Sequence, residues 1–419
     1  MARRYDPNPR SRLVFLAVLG IWVVIGVAMQ GRFAQDAVPF VAAGDLSTTH
    51  PGDVYRPHMT SLYDVSPRFA RTSCDLAPAG TNCGNVVVGY VSTPQALPLA
   101  WVLGRLGASF GVLVMRLVAA LSLAAGMWLL WQRLATRTRN AGTALAVTAV
   151  ALTPMVMVPL SLGQNAPLLF LSACLGLLGT ERGNRRAALV ALVWVATVSF
   201  KAFPAALLLV LLWQRRWRVL AWAVGAGAAL VALTAVLGPA SWYRDFVHAS
   251  RAISGFAAAN RFNGSIEAVL HGWSPSLVGS AAFGPAYLVL RLALVGGLWW
   301  WRVRHADADT QWAWAWVAVL LFVPLAWWHY LFVGVAAVAL ALAGRRQLSD
   351  RLMWWLPGLA LLTAVVSVPY IKDHPLPVVQ ALVLLACLVG VPLLVGERRL
   401  SERGQAASPA PSEPTLAGR

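Results

Sequence analysis

Charged residues are scarce in this sequence: Asp, Glu, Lys and Arg make up 12% of its 419 residues, whereas soluble domains average about 25%. Hydrophobic residues make up 58%, and the mean hydropathy is +0.65. Apolar stretches long enough to cross about 30 Å of hydrocarbon recur from end to end. These features exclude a soluble or fibrous protein and predict an all-α polytopic membrane protein.

Sequence motifs for nucleotides and metals are also missing. The chain has no G-x-x-x-x-G-K-[S/T], no G-x-G-x-x-G and no Cys/His spacing typical of zinc, so we expect no metal and no cofactor. Asp307 and Asp309 form an Asp-x-Asp pair, but no nucleotide-binding domain surrounds their short loop. We interpret this pair as a solvated turn.

Acidic residues are outnumbered by basic ones, 16 against 34, which gives a net charge of +18. The arginines gather in short clusters between apolar stretches, as the positive-inside rule requires of cytoplasmic loops. Placing both termini in the cytoplasm puts most of these clusters on the cytoplasmic side. Because the Arg- and Ala-rich composition is typical of bacteria, we predict a multi-pass protein of the bacterial plasma (inner) membrane.

The alternation of apolar stretches and polar breaks predicts a bundle of about twelve transmembrane helices. The predicted spans are 13–30, 108–132, 142–160, 165–180, 187–200, 203–214, 217–237, 278–301, 311–326, 328–344, 352–369 and 377–395. The two spans that flank Lys201 are short, so they either cross fully as thin helices or form one re-entrant hairpin.

Two long stretches between spans, 31–92 and 238–277, are predicted to be extracytoplasmic loops. Long loops in a compact bundle usually carry function. Residues 396–419 are small, polar and Pro-containing, which predicts a disordered cytoplasmic tail after a transmembrane domain over 1–395. No internal repeat is evident, which disfavours a transporter built from repeated halves.

Asp36 follows the first predicted span, in the segment GRFAQDAVPF. A carboxylate beside a helix end and apolar neighbours can have its pKa raised towards the range of a useful general base. Four other aspartates share this loop. Position alone therefore does not separate Asp36 from a solvated interfacial carboxylate.

Three more ionisable or polar side chains stand out near the predicted external face. Lys201 interrupts an apolar stretch in VSFKAFP and either holds a phosphate as a point charge or snorkels to the interface. His329 and Tyr330 lie in LAWWHYLF. A histidine here can donate to a phosphate or an acceptor hydroxyl, whereas an interfacial aromatic belt explains Tyr330 without any chemistry.

Three amides lie on the same side. Gln164 and Asn165 form a short turn before a span, in SLGQNAP. The free N–H groups of a helix N-terminus favour anions, and ordinary capping explains both residues equally well. Asn263 begins the N-G-S of the second loop, where neighbouring arginines can meet lipid phosphates.

Taken in order, these segments resemble glycosyltransferase family 87, polytopic GT-C enzymes that use polyprenyl-phosphate sugars. The resemblance covers about residues 10–345. It rests on the order and sidedness of short motifs: Asp36, GDVY, Tyr90 with STPQALPLAWVLGRLG, SLGQN, FKAFP with WQRRWR, NGS and VPLAWWHYL. The stretch with Cys74 and Cys83 looks like an insertion, and the family's Y-x-P is present only as the looser Tyr90–Pro94.

The resemblance implies transfer of a sugar from a polyprenyl-phosphate donor to a hydroxyl of a glycolipid or cell-envelope glycan on the extracytoplasmic side, and mannose is the sugar that we expect first. It implies that Asp36 is the general base. The residues expected to bind donor or acceptor are His329, Lys201, Gln164, Asn165, Asn263 and Tyr330. A phosphate held by cations is a competent leaving group, so we expect an inverting single displacement that needs no metal.

Other functions remain open at this point. Arabinofuranose is the second candidate sugar, and a lipid or solute transporter and a non-catalytic scaffold are the candidates from other classes. Transporters place ionisable residues near the midplane, whereas nearly all polar chemistry here lies at the predicted external face. That distribution favours an enzyme.

Cysteine is rare, with four residues, too few for a disulfide framework. Cys74 and Cys83 share the first loop, and the other two lie in apolar spans. Because the external side is oxidising, we expect a Cys74–Cys83 disulfide.

Overall fold

The computed structural model describes residues 36–56, 61, 63–77, 82–135, 164–176, 183–257, 263–327, 330–334, 337 and 381–392, together with Leu13, Leu16, Ala17, Gly20, Ile21 and Val24. Within these residues the regular elements are helices, and the isolated β-bridge that is present joins Asn263 to Trp327. The predicted all-α class is therefore confirmed for the described part of the chain.

The helices are numbered in chain order. They are α1 (Ala37–Thr49), α2 (Pro67–Asp75), α3 (Leu97–Arg105), α4 (Ala108–Ala135), α5 (Ala166–Gly176), α6 (Asn184–Phe200), α7 (Leu208–Trp213), α8 (Trp217–Leu237), α9 (Ser241–Ala257), α10 (Ile266–Trp273), α11 (Pro275–Val278), α12 (Phe283–Trp301), α13 (Ala308–Phe322) and α14 (Ala381–Pro392). A 3₁₀ segment, Phe203–Leu207, joins α6 to α7.

Three helical stretches are long and apolar enough to cross a membrane. They are Ser109–Leu130 in α4, Trp217–Leu237, which is α8, and Phe283–His305, which begins with α12. Each coincides with a span predicted from the sequence, so these three stretches are candidate membrane spans, as fits a membrane protein.

The other predicted spans stay predictions. Several fall on shorter apolar helices such as α5 and α14. The predicted spans 142–160 and 352–369 lie outside the described residues, as does the predicted tail 396–419. The boundaries of the predicted transmembrane domain, 1–395, likewise stay a prediction.

Helix α13 lies at the centre of the bundle. Its three indoles, Trp312, Trp314 and Trp316, are all fully buried although they project in different directions from the helix. Nε1 of Trp312 donates to the Ala173 carbonyl in α5 at 3.0 Å, and Nε1 of Trp314 donates to the Leu388 carbonyl in α14 at 2.8 Å. A helix that is apolar all round is buried on all sides, and here two of its three indole N–H groups hydrogen-bond neighbouring helices.

The first predicted loop contains a buried helix, α1, which packs along α3. The loop is helical here because residues 37–43 are apolar and bury completely. Two glycines allow the close approach: a Cβ at Gly44 would overlap the carbonyl of Ala100, and a Cβ at Gly104 would lie 2.9 Å from the backbone nitrogen of Asp45. Together α1 and α3 form a second apolar cluster beside the bundle core.

The polar part of the same stretch is fastened by a disulfide. Helix α2 begins at Pro67, where the Ser66 hydroxyl accepts a hydrogen bond from the Phe69 N–H at 3.1 Å. Near its other end Cys74 is bonded to Cys83, with the two Cα atoms 5.0 Å apart. The bond ties α2 to the segment that leads into Tyr90.

We predict that Gly44→Ala lowers the melting temperature in detergent. Overpacking a tight contact costs about 1–3 kcal/mol, which exceeds the gain of up to about 1 kcal/mol that alanine brings to a helix interior. Gly225→Ala in α8 is the matched control, because a Cβ there meets nothing within 4 Å. A Gly44→Ala protein that melts at or above the wild-type temperature would contradict the close contact.

We also predict that only two of the four cysteines react with a thiol reagent in unreduced, denatured protein, and that all four react after reduction. Closing a loop of nine residues restricts the unfolded chain by about 2–3 kcal/mol, so Cys74→Ser also lowers the melting temperature. Mass spectrometry of the labelled peptides identifies the sites. Modification of Cys74 and Cys83 without reductant would contradict the disulfide.

Candidate active site

A cavity lies where the α1–α3 cluster meets the helix bundle. It opens to solvent, and its volume, counted together with the solvent at its mouth, is about 490 Å³. Its walls are formed by Asp36, Pro39, Phe40, Val88, Gly89, Tyr90, Val91, Ser92, Met115, Gln164, Asn165, Phe200 and Lys201. We call it the Asp36 cavity. Four side chains that the sequence singled out as site residues line it, although they come from three separate parts of the chain.

Asp36 immediately precedes α1 and lies at its N-cap position. Its side chain makes no capping hydrogen bond, so the carboxylate is available to the cavity. Its Oδ2 atom is buried and has no hydrogen-bond partner among the described residues. Burial raises the pKa of the Asp36 carboxyl above its ordinary value, while the charge of Lys201 and a hydrogen bond from Gln164 oppose that rise. Asp36 is thus a carboxylate with increased basicity.

Lys201 lies at the end of α6, where the chain leaves the helix in an extended conformation. Burial lowers the pKa of the Lys201 ammonium, and the negative charge of Asp36 opposes this. The indole of Trp194 donates to the Pro204 carbonyl at 3.1 Å and secures the 3₁₀ segment that follows. A cation held in a partly buried cavity is suited to bind an anionic group such as a phosphate.

Gln164 and Asn165 lie immediately before α5. The Asn165 carbonyl accepts the N–H groups of Leu168 and Leu169 at 2.9 and 3.2 Å, which starts the helix. The Oε1 atom of Gln164 is buried and unpartnered among the described residues. Asp36 and Gln164 therefore present two unsatisfied acceptor oxygens to the same cavity, as a ligand rich in hydroxyl groups would require.

Aromatic rings form the wall beneath these polar groups. The Phe40 ring lies 5.0 Å from that of Phe200 and 5.9 Å from that of Tyr90, and the Tyr90 ring lies 5.3 Å from that of Tyr55. Burial raises the pKa of the Tyr90 phenol, so it stays protonated. The Tyr55 hydroxyl donates to the Ser92 carbonyl at 2.8 Å, so the GDVY motif, which ends at Tyr55, is hydrogen-bonded to a segment of the cavity wall.

The remaining predicted site residues lie elsewhere. Tyr330 is buried, and its ring lies 5.9 Å from that of Phe203. The Tyr330 hydroxyl interacts electrostatically with Asp36. Asn263 is not part of the cavity lining. Its amide donates to the Pro324 carbonyl at 2.6 Å and accepts from the backbone N–H groups of Ser265 and Ala326.

His329 lies outside the described residues. The bonds of Asn263 nevertheless fasten the second predicted loop to the segment that leads towards it, and the Gly264 N–H donates to the Ala326 carbonyl at 2.7 Å. Asn263 therefore holds the second predicted loop against the segment that contains Pro324 and Ala326.

An apolar groove adjoins the Asp36 cavity. It lies between α6, α8 and α9, and its volume, counted together with the solvent at its open side, is about 1040 Å³. Thr93 and Ser199 line the groove, and their chain neighbours Ser92 and Phe200 line the cavity. The two spaces therefore adjoin at these two backbone segments, where consecutive residues line one space and then the other.

Sequence reasoning missed several residues of this region. Thr93 was covered only as part of the STP motif after Tyr90, and Met115 lies inside a predicted span where no pattern distinguishes it. Asp307, by contrast, is accounted for at the other end of the bundle: its carboxylate accepts from the Thr310 N–H and hydroxyl at 3.0 and 2.8 Å and caps α13. The described residues contain no group of three or more His, Cys, Asp or Glu side chains that could hold a metal.

A comparison with models of protein families identifies the family of this chain. The model of glycosyltransferase family 87 matches residues 90–326, more than half of the chain, and these include Tyr90, Gln164, Asn165 and Lys201. Neither a curated protein nor a solved structure matches the chain. The protein is a membrane glycosyltransferase, and it belongs to glycosyltransferase family 87.

Proposed function

We propose that the protein transfers a sugar from a polyprenyl-phosphate donor to a hydroxyl group of a glycolipid or cell-envelope glycan, with Asp36 as the general base. The observation that carries this proposal is the presence of Asp36 and Lys201 in one cavity. The unpartnered oxygens of Asp36 and Gln164 supply acceptors for sugar hydroxyls. The active site then lies on the extracytoplasmic side, as the arginine distribution predicts.

The reaction follows from these two charges. The acceptor hydroxyl donates to Asp36, which takes its proton as the oxygen attacks the anomeric carbon. The bond from that carbon to the phosphate oxygen breaks, and the phosphate leaves with the electron pair, its negative charge held by Lys201. Attack and departure on opposite faces invert the anomeric configuration. The cation for the leaving group is a side chain, so the proposal requires no metal.

The apolar groove supports a lipid-linked donor. Trp194, Leu230, Val231 and Phe246 are among its lining residues, and they present an apolar surface next to a charged cavity. A phosphate in the cavity can therefore be continuous with a hydrocarbon chain in the groove. A free nucleotide sugar has no use for such a surface.

Mannose is the sugar that we propose first, and arabinofuranose is the second. The membrane in question is the bacterial plasma membrane, with both termini in the cytoplasm. We further propose that His329 and Tyr330 lie near the donor phosphate or the acceptor, and that Asn165 and Asn263 help to shape the cleft.

We predict that Asp36→Asn reduces transfer by about 10²–10⁴-fold, because a general base contributes that much. Binding of the donor persists, since the amide keeps the shape of the carboxyl. The measurement is transfer of radiolabelled mannose from polyprenyl-phospho-mannose to membrane lipids, in cells that lack the native protein. Asp45→Asn is the matched control, because Asp45 is exposed on the same helix.

Equal transfer by the wild type and Asp36→Asn would show that Asp36 is not the base. Transfer that fails with mannose but succeeds with polyprenyl-phospho-arabinose would keep the site and change only the sugar. Transfer with neither donor would contradict the proposed function.

We predict that Lys201→Met moves the acidic limb of the pH profile of kcat/KM to higher pH. The sign follows from Asp36: the charge of Lys201 lowers its pKa, so removing the charge raises it, and a higher pH is needed to ionise the base. The profile is measured on residual activity. Arg105→Gln, which removes an exposed cation outside the cavity, leaves the midpoint unchanged, and an unchanged midpoint in Lys201→Met would contradict the electrostatic coupling.

A further inference from the structure

We propose that Thr93 is a positioning residue, which fixes Lys201 in the Asp36 cavity by binding the carbonyl of Ser199 at the end of α6. The role assigned to Lys201 rests on the proposed function, whereas the positioning itself is a structural claim and can be tested without turnover.

The contact consists of two hydrogen bonds to one oxygen. The Thr93 hydroxyl donates to the Ser199 carbonyl at 2.7 Å, and the Thr93 backbone N–H donates to the same carbonyl at 3.1 Å. Both residues are buried. Because the last carbonyls of a helix have no partner within the helix, an external donor at this point determines where the helix ends.

The position of that end determines the position of Lys201. Only Phe200 separates Ser199 from the lysine, and the Lys201 N–H makes the last hydrogen bond of α6, to the Thr197 carbonyl at 2.9 Å. The next residues change to a 3₁₀ segment at Phe203. Without a partner for the Ser199 carbonyl, this junction between two kinds of helix is free to fray.

Three hydroxyl groups bind the backbone carbonyls of Thr93 and of its two neighbours. The Tyr90 hydroxyl lies 3.4 Å from the Thr93 carbonyl, the Tyr55 hydroxyl binds the Ser92 carbonyl, and the Thr234 hydroxyl in α8 lies 3.3 Å from the Pro94 carbonyl. Thr93 therefore links the aromatic wall, through Tyr90, to the end of α6. A hydroxyl within such a network is a positioning element.

The ionisable groups that face this region come from different elements. Asp36 at the start of α1 interacts with Lys201, Tyr90 lies in the cavity wall, and Tyr330 lies within electrostatic reach of Asp36. A variant that moves Lys201 without altering these groups changes the environment of a single cation.

The sequence offers a direct probe of that cation, because it contains only two lysines, Lys201 and Lys372. We would label intact protein in detergent micelles with trace acetic anhydride across a pH series and quantify both lysine peptides by mass spectrometry, with Lys372 as the internal reference. In Thr93→Val, Lys201 gains access to water. Its labelling midpoint then rises towards the ordinary value of a lysine, and its labelling relative to Lys372 increases.

Two matched variants make this test specific. Thr93→Ser keeps the hydroxyl and retains the wild-type labelling. Thr197→Val removes an equivalent hydroxyl bond in the same helix, from Thr197 to the Val193 carbonyl at 2.7 Å, and leaves Lys201 unchanged. In transfer assays we expect Thr93→Val to lose about 10–100-fold in kcat/KM, to shift the acidic limb upwards, and to produce no further shift when combined with Lys201→Met.

Wild-type labelling of Lys201 in Thr93→Val would overturn the proposal, whatever the activity. Equal changes in Thr93→Val and Thr197→Val, with lower melting temperatures in both, would overturn it too, because that pattern indicates general destabilisation. Absence of sugar transfer by the wild type would contradict the proposed function alone, since the labelling experiment would still report whether Thr93 positions Lys201.

Discussion

The double hydrogen bond from Thr93 to the carbonyl of Ser199 joins two parts of the molecule that are 106 residues apart in sequence. One part is the segment with Tyr90, which belongs to the α1–α3 cluster. The other is the end of α6, which belongs to the helix bundle. The Asp36 cavity lies at this junction, so its shape depends on how closely the two parts approach each other. On one side of the cavity, the glycines between α1 and α3 allow these two helices to pack closely. On the other side, the point where α6 ends determines where the bundle meets the cavity.

Within the cavity, the two charges moderate each other. Burial alone would favour neutral Asp36 and neutral Lys201, since desolvation disfavours the charged form of each. Each charge offsets part of the desolvation of the other. The result is a carboxyl group whose pKa is raised beside an ammonium group whose pKa is lowered, each by less than burial alone would cause. Removing one partner leaves the other as an uncompensated charge in a partly buried site, where such a charge is costly.

The sequence brought together four of the polar residues that line the Asp36 cavity, but not the helices that form the cavity. Asp36, Gln164, Asn165 and Lys201 each follow or precede an apolar stretch, and the alternation of predicted spans places all four at one end of the bundle.

The sequence did not predict helix α1, because the apolar residues after Asp36 are too few to span a membrane and are therefore assigned to a loop. Nor did it predict Thr93, because a hydroxyl that binds a distant backbone carbonyl leaves no periodic pattern. Asn263 was recognised by its motif, but its hydrogen bonds to Pro324 and Ala326 depend on a loop contact that no local pattern encodes.

The Asp36 cavity and the apolar groove adjoin each other, and this arrangement suits a lipid-linked donor. Ser92 and Phe200 face the polar side while Thr93 and Ser199 face the apolar side, so polar and apolar surfaces are only one residue apart on both segments. In our proposal the phosphate is the one part of the donor that must cross this boundary, because it is bonded to the sugar on one side and to hydrocarbon on the other. A donor anchored at that point presents its anomeric carbon to the half of the cavity that contains Asp36. The same hydrogen bonds that keep the wall closed would then also fix the distance between the reacting carbon and the base.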